Sequence, residues 1–180
     1  MAKFFRPIGP CVIERDGVEI GHSAGGIKIA YEQQTASSKL DKTGDTERSE
    51  VVTGESFLVT GAIGEASLAN LATQIPGSDL NSGGTMLDVI SAVGMDLREN
   101  ASEFVFKPLV QGVKSSNTAE YVYVPAGTIK PKWDVSYTHN GDKVFGFEIK
   151  GHPVTAEEIA SGGRLAAKTY VEGQLFRMGA

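Results

Sequence analysis

At 180 residues, with 41% apolar and 22% charged residues, the chain is sized for one domain able to bury a core. A formal charge of −5 and a pI near 5.2 argue against a protein that gathers nucleic acid by being basic overall. One cysteine, Cys11, excludes an internal disulfide framework, and no apolar run approaches the roughly 18 residues of a membrane helix.

Residues 1–10, MAKFFRPIGP, read as an irregular arm with Pro7 and Pro10 and too little apolar length for a secretory signal. The expectation is a protein made and kept in the cytosol. Asp16-Gly17 between 11–15 and 18–20 predicts a hairpin, because this dipeptide supplies the positive φ angles of a primed turn. Cys11, in the apolar run Cys11-Val12-Ile13, reads as a buried inert thiol. Gly21, Gly25 and Gly26 punctuate a bend, after which 27–31 alternates as a strand. The stretch 34–50, QTASSKLDKTGDTERSE, is polar throughout except Ala36 and Leu40, and reads as a long inter-strand loop. A return strand is expected over 51–60.

The best helical pattern covers 64–75, with Leu68, Leu71, Ala72 and Ile75 in one stripe, Glu65 in the first turn and Pro76-Gly77 as the stop. Residues 77–84 read as a loop, 85–92 as a strand, 94–102 as a turn, and 103–113 as a strand with Pro108 marking an edge or bulge. Strands are expected at 120–124 and 133–138 on either side of a Gly127 turn. Asn140-Gly141 joins the latter to 144–151. A capping box at 155–158 opens a short helical turn, and 164–172 is expected as the last strand. Gly is abundant, 22 of 180 residues against a typical share of roughly 7%, as turn-rich β folds require. The fold class is therefore mainly β (α+β), a β-sandwich or half-barrel with one packed helix, preceded by the arm at 1–10.

Few residues suggest chemistry. His22, His139 and His152 stand apart from any metal-ligand spacing, although His139 and His152 flank one predicted hairpin. Gly61 and Gly64 precede the helix without a phosphate-loop lysine, no Gly-x-Ser-x-Gly elbow occurs, and Glu157-Glu158 belong to the capping box. No catalytic residue, metal site or cofactor is assigned. Tyr121, Tyr123, Trp133, Tyr137, Phe145 and Phe147 on alternating strands fit a core or interface, and would also suit a sugar-stacking platform.

The order of segments runs from the hairpin at Asp16-Gly17 and the Gly-rich bend, through the strand at Ile27 and the long polar loop, to a return strand ending in Gly61. The helix stopped by Pro76-Gly77, the run Gly94-Met95-Asp96-Leu97-Arg98-Glu99-Asn100-Ala101 leading into Phe104-Val105-Phe106-Lys107-Pro108, the hairpin at Asn140-Gly141 and the turn at His152-Pro153 complete it. Over roughly 11–172 this resembles the tail tube protein of long non-contractile-tailed bacteriophages, a family related in fold to the tube proteins of contractile tails and type VI secretion. The resemblance implies a virion protein of the tail, assembled in the host cytoplasm. Six copies would close a ring, and stacked rings would form a conduit for genome and tape-measure protein, bounded by tail-tip and terminator proteins. DNA would pass without specific binding, and no membrane is involved. The 34–50 stretch would bridge to the next ring through Lys39, Leu40, Asp41, Lys42, Asp45, Glu47, Arg48 and Glu50. Six chains at −5 would carry about −30, so an acidic lumen is expected, with Glu32, Thr53, Glu55, Asp134, Ser136 and Glu148 as its candidates. The competing expectations are a monomeric β-sandwich module binding carbohydrate or a cell surface through Trp133, and a small β-barrel enzyme built around His139 or His152.

Overall fold

A computed structural model describes residues 9–39, 47–64, 67–134 and 144–179, with the backbone alone at 39, 47 and 48. The chain runs β1 (Cys11–Arg15), β2 (Val18–Lys39), β3 (Glu47–Ile63), α1 (Leu68–Ala72), β4 (Ser78–Leu80), β5 (Leu87–Val89), β6 (Ser102–Val110), β7 (Val113–Lys114), β8 (Val122–Lys132), β9 (Phe145–Gly151), α2 (Ala156–Ile159) and β10 (Arg177–Met178). It is mainly β, with antiparallel pairing throughout.

Two strands each serve two sheets, which turns the ladder into a sandwich with closed corners. The first sheet is β2-β3-β9-β8 and the second is β8-β6-β1-β2. β2 pairs with β1 up to His22, opposite Val12, and with β3 from Ser23, opposite Ile63, its register shifting before Ile27, opposite Gly61. The corner there is Ala24-Gly25-Gly26, and Gly25 and Gly26 have φ of 74° and 92°, a region open to glycine at no steric cost. β8 changes sheets at Gly127, which pairs with Ser102 of β6 and with Gly151 of β9. A Cβ at Gly127 would lie 2.6 Å from Phe104 Cδ2 and 3.0 Å from Ile149 Cγ2, so only glycine lets the three strands approach.

Between the sheets lies the main core, with Ile13, Ile20, Phe57, Val59, Phe104, Phe106, Val124, Phe147 and Ile149. Phe57 stacks on Phe176 at 4.4 Å between ring centroids, sealing one end. Ala101, Ala126, Val154, Leu165 and Tyr170 form a smaller cluster beneath the C-terminal loops.

Several sequence expectations hold: the turn at Asp16 (φ 49°) and Gly17 (φ 83°), the strands at 11–15 and 18–20, β9, and the Glu158 carboxylate accepting from the Thr155 N–H at 2.9 Å. Pro108 sits beyond the end of the β6–β8 pairing, opposite Cys11, where its missing N–H breaks no rung to β8.

Others are corrected. The expected loop at 34–50 is largely ladder: β2 continues to Lys39 and β3 begins at Glu47, since cross-strand hydrogen bonds need no apolar face. Gly127 is mid-strand, and Trp133 and Asp134 follow β8 without strand structure. The remainder of the expected 133–138 strand and the Asn140-Gly141 turn lie outside the described residues, as do Glu65 and residues 1–8. The helix contracts from 64–75 to α1, capped by Ser67, which accepts from the Asn70 N–H at 3.1 Å. It ends early because hydroxyls take its carbonyls: Thr73 Oγ1 donates to Asn70 O at 2.7 Å, and Ser78 Oγ to Ala72 O at 2.8 Å. Residues 77–84 are not a plain loop, because β4 pairs with β5 around Asn81, whose Oδ1 accepts from the Thr85 N–H at 2.8 Å. Residues 164–172 form turns that bury Leu165 and Tyr170 by side-chain packing, and the last strand is β10.

Candidate assembly surfaces

β9 covers β3 only from Phe57 to Ile63, so 32–39 and 47–56 have no strand neighbour but each other among the described residues. At roughly 3.4 Å per residue, 32–39 projects about 27 Å beyond the sandwich. Register assigns the faces. Gln33, Thr35, Ser37, Glu50, Val52 and Glu55 lie on the side that continues the core face of Tyr31 and Phe57. Glu32, Gln34, Ala36, Ser38, Ser49, Val51 and Ser56 continue the outer side of the first sheet. The side chains on both faces are exposed, including Val51 at 61% and Val52 at 49%. An isolated two-stranded hairpin is marginal in water, so a ribbon of this length gains most by packing on something else.

The expected ring-bridging residues fall at its far end. Lys39 pairs with Glu47, Arg48 occupies a bulge, and Glu50 accepts from Thr35 Oγ1 at 2.6 Å. Leu40, Asp41, Lys42 and Asp45 lie outside the described residues.

The lumen candidates divide between surfaces. Glu32 and Glu148 lie on the outer face of the first sheet. Glu55 lies on the opposite face of the ribbon, where bonds from Tyr31 Oη (2.7 Å) and Gln33 Nε2 (2.8 Å) hold its carboxyl below the ordinary range. Thr53 is bulged, with its hydroxyl donating to Gln34 O at 3.2 Å. Asp134 is exposed beyond β8, and Ser136 lies outside the described residues.

The first sheet has two open edges among the described residues: β2 from Ile27 onward, and β8 from Lys130 to Lys132, Thr128 and Ile129 being buried. The β8 edge carries Lys130-Pro131-Lys132, a combination that limits main-chain pairing, whereas the β2 edge is bare of proline. A second exposed surface follows β4, where Met86, Val89, Ile90, Val93 and Met95 are all exposed within one segment, Val93 at 96%. Exposed apolar side chains so concentrated in one segment make it a candidate contact surface. Neither this segment nor Val51 and Val52 stood out in the sequence, although the apolar count of 86–95 was a usable signal.

Polar groups elsewhere serve the fold. Glu158 is gripped by Arg98 through two bonds of 2.8 Å and by Arg164 at 2.6 Å, which hold its carboxyl far below the ordinary range. Arg164 also donates to Pro125 O at 2.9 Å, tying α2 to β8. Buried Glu14 meets Lys107 at 2.6 Å and Lys114 at 3.0 Å, and buried Glu103 meets Lys168 at 3.0 Å and the Tyr170 hydroxyl. Burial pushes the Cys11 thiol up to about 11.

His22 pairs with Glu19 at 2.9 Å, and His152 Nε2 meets Thr128 Oγ1 at 2.9 Å, its pKa lowered by burial, then by Arg98 and Lys150. His139 and Tyr137 lie outside the described residues. Among the described residues no group of three or more His, Cys, Asp or Glu is placed to hold a metal. A cavity of about 200 Å³ lined by Arg15, Thr73, Ile75, Met95, Asn100 and Thr128 is smaller than ordinary ligand sites. Phe147 is in the core, and Trp133 meets Phe145 edge-on at 5.2 Å. Tyr31 is the one strongly exposed aromatic among the described residues.

No protein-family model and no curated protein matches the chain, so its functional reading rests on these surfaces.

Proposed function

We propose that the chain is a self-assembling tube subunit of the phage-tail type, six copies closing a ring and rings stacking into a conduit for DNA. The observation that carries this reading is a closed sandwich from which two strands run on as a ribbon exposed on both faces. A ribbon needing a partner and a body with separate exposed surfaces suit a heterologous contact, which propagates as an open stack. Within a ring, the open edge of β2 would meet the β8 edge of its neighbour. Pro131 and the flanking lysines would limit that seam to side-chain packing and few main-chain bonds. The segment at 86–95 would supply further apolar contact. Tape-measure, tail-tip and terminator proteins are the partners that follow from such a tube.

A sugar-binding module gains little from the described aromatics: Tyr31 alone is strongly exposed, Phe147 is in the core and Trp133 packs edge-on against Phe145. Negative-stain electron microscopy of the purified, untagged protein, with its size-exclusion profile, tests the assembly. Hollow rings or stacked tubes are expected. A monodisperse monomer at high concentration would overturn the proposal.

A further inference from the structure

The chain is acidic, yet the outer face of its first sheet is not. Register places Lys28, Thr60, Glu148 and Lys130 in one row across β2, β3, β9 and β8. The next row holds Ala30, Leu58, Lys150 and Thr128, and Lys132 stands opposite Gly146 on the other side. Glu32 extends this face at the root of the ribbon. Four lysines therefore face two glutamates on a protein whose formal charge is −5. All four lysines are exposed. Lys132 is paired with Glu148, but Lys28, Lys130 and Lys150 make no ion pair among the described residues.

With strands roughly 4.8 Å apart and alternate residues about 7 Å apart, Lys130 stands about 7–8 Å from both Lys132 and Lys150. Those two are about 15 Å from each other, and Lys28 is about 14 Å from Lys130 across the sheet. The residues between them are Ala30, Leu58, Thr60, Ala62, Thr128 and Gly146, all neutral, and Glu148, whose carboxylate is taken up by Lys132. Nothing on this face supplies the donor and acceptor pattern of base-edge readout or a row of exposed aromatics for base stacking. Nor does it offer large exposed apolar side chains to enter a lipid surface, its largest being half-buried Leu58.

We propose that this face is a sequence-independent contact surface for the phosphate backbone of nucleic acid, carried by Lys28, Lys130 and Lys150. Its setting rests on the tube reading, with the further assignment that this face, which carries the lumen candidates Glu32 and Glu148, lines the conduit. Flexible ammonium groups on a flat sheet make contacts that form and break one at a time. A bound chain can then slide, as non-specific complexes do. The wall so described is mixed in charge rather than uniformly acidic.

The test is fluorescence anisotropy of a labelled random-sequence DNA duplex with unassembled protein taken from size exclusion. Three phosphate contacts give a slope of log affinity against log salt of about −2.7, so affinity should fall roughly 40-fold between 50 and 200 mM salt. Lys130→Glu/Lys150→Glu should weaken binding at least tenfold at 50 mM, and Lys130→Gln/Lys150→Gln should bring the slope to about −1. Circular dichroism should be unchanged, because both side chains are exposed. No duplex binding at 50 mM, an unchanged slope in the glutamine variant, or binding to phosphatidylserine vesicles but not to DNA would overturn the inference. Electron microscopy of the same proteins keeps the two readings apart. Tubes without lysine-dependent DNA binding would sink only this inference, and lysine-dependent binding without tubes would sink only the assembly.

Discussion

Val51 and Val52 are neighbours in sequence but stand on opposite faces of the ribbon, because each successive strand residue reverses side. If the outer face of the first sheet lines a conduit, the opposite face, which carries Val52 with Thr35, must meet the body of the next ring. Complete burial of a valine side chain contributes roughly 1.5–3 kcal/mol. Val52 is 49% exposed in the single chain, so covering the remainder contributes about 1 kcal/mol per copy and about 6 kcal/mol per ring junction. Val52→Asp removes that gain and adds the cost of desolvating a carboxylate, several kcal/mol per copy. Val51→Asp leaves the charge in water. Tube length by negative-stain microscopy and pelletable mass should therefore collapse for Val52→Asp and stay near wild type for Val51→Asp. The melting temperature of the subunit should hardly move in either, since both side chains are exposed in the monomer. Normal tubes from Val52→Asp, or the reverse ranking of the two variants, would refute the assignment of faces.

Gly127→Ala should destabilise the fold by about 1–3 kcal/mol, since its Cβ would press on Phe104 and Ile149 where β8 changes sheets. That corresponds to a fall of roughly 3–10 °C in Tm, read by thermal circular dichroism. Glu158→Gln should cost about 2 kcal/mol at pH 7 by weakening the bonds from Arg98 and Arg164. The Glu158 pKa is lowered on folding, so its contribution is present above the ordinary value near 4.5 and fades as pH falls towards the folded value. Urea midpoints of wild type and variant should accordingly differ at pH 7 and converge in acid. Cys11, buried with its pKa raised to about 11, should resist iodoacetamide at pH 8 until the protein unfolds, as mass spectrometry would register.

The elements legible in the sequence were those whose signal is local. The Asp16-Gly17 turn and the Thr155 to Glu158 capping box each depend on neighbours within a few residues. Gly127 misled because a glycine between two strand-like runs reads as a turn. What it supplies is the absence of a Cβ between Phe104 and Ile149, which are distant in sequence. The helix at 64–75 was too long for a related reason. The stripe Leu68, Leu71, Ala72 and Ile75 is genuine periodicity, but Thr73 and Ser78 hydroxyls compete for the carbonyls, and Leu68 is exposed where the stripe expected burial. The Arg98 and Arg164 clamp on Glu158 joins residues that no spacing connects.

The ribbon is the most instructive of these failures. A strand is found in sequence by alternation of apolar and polar residues, and alternation exists only when one face is buried and the other wet. Residues 32–38 and 49–56 carry exposed side chains on both faces in the single chain, so the usual signal is absent although the hydrogen-bond ladder is present. On the proposed tube reading, a neighbouring subunit would supply the dry face that this ladder lacks. Formal charge is uninformative for the same geometric reason. Summed along the chain it is −5, but β2, β8 and β9 send their core residues inward and Lys28, Lys130, Lys132 and Lys150 outward to one surface. The period of two along each strand, together with the register between strands, concentrates on one sheet face a charge opposite in sign to that of the whole protein. What the sheet presents to a partner is therefore a property of register, and composition is blind to it.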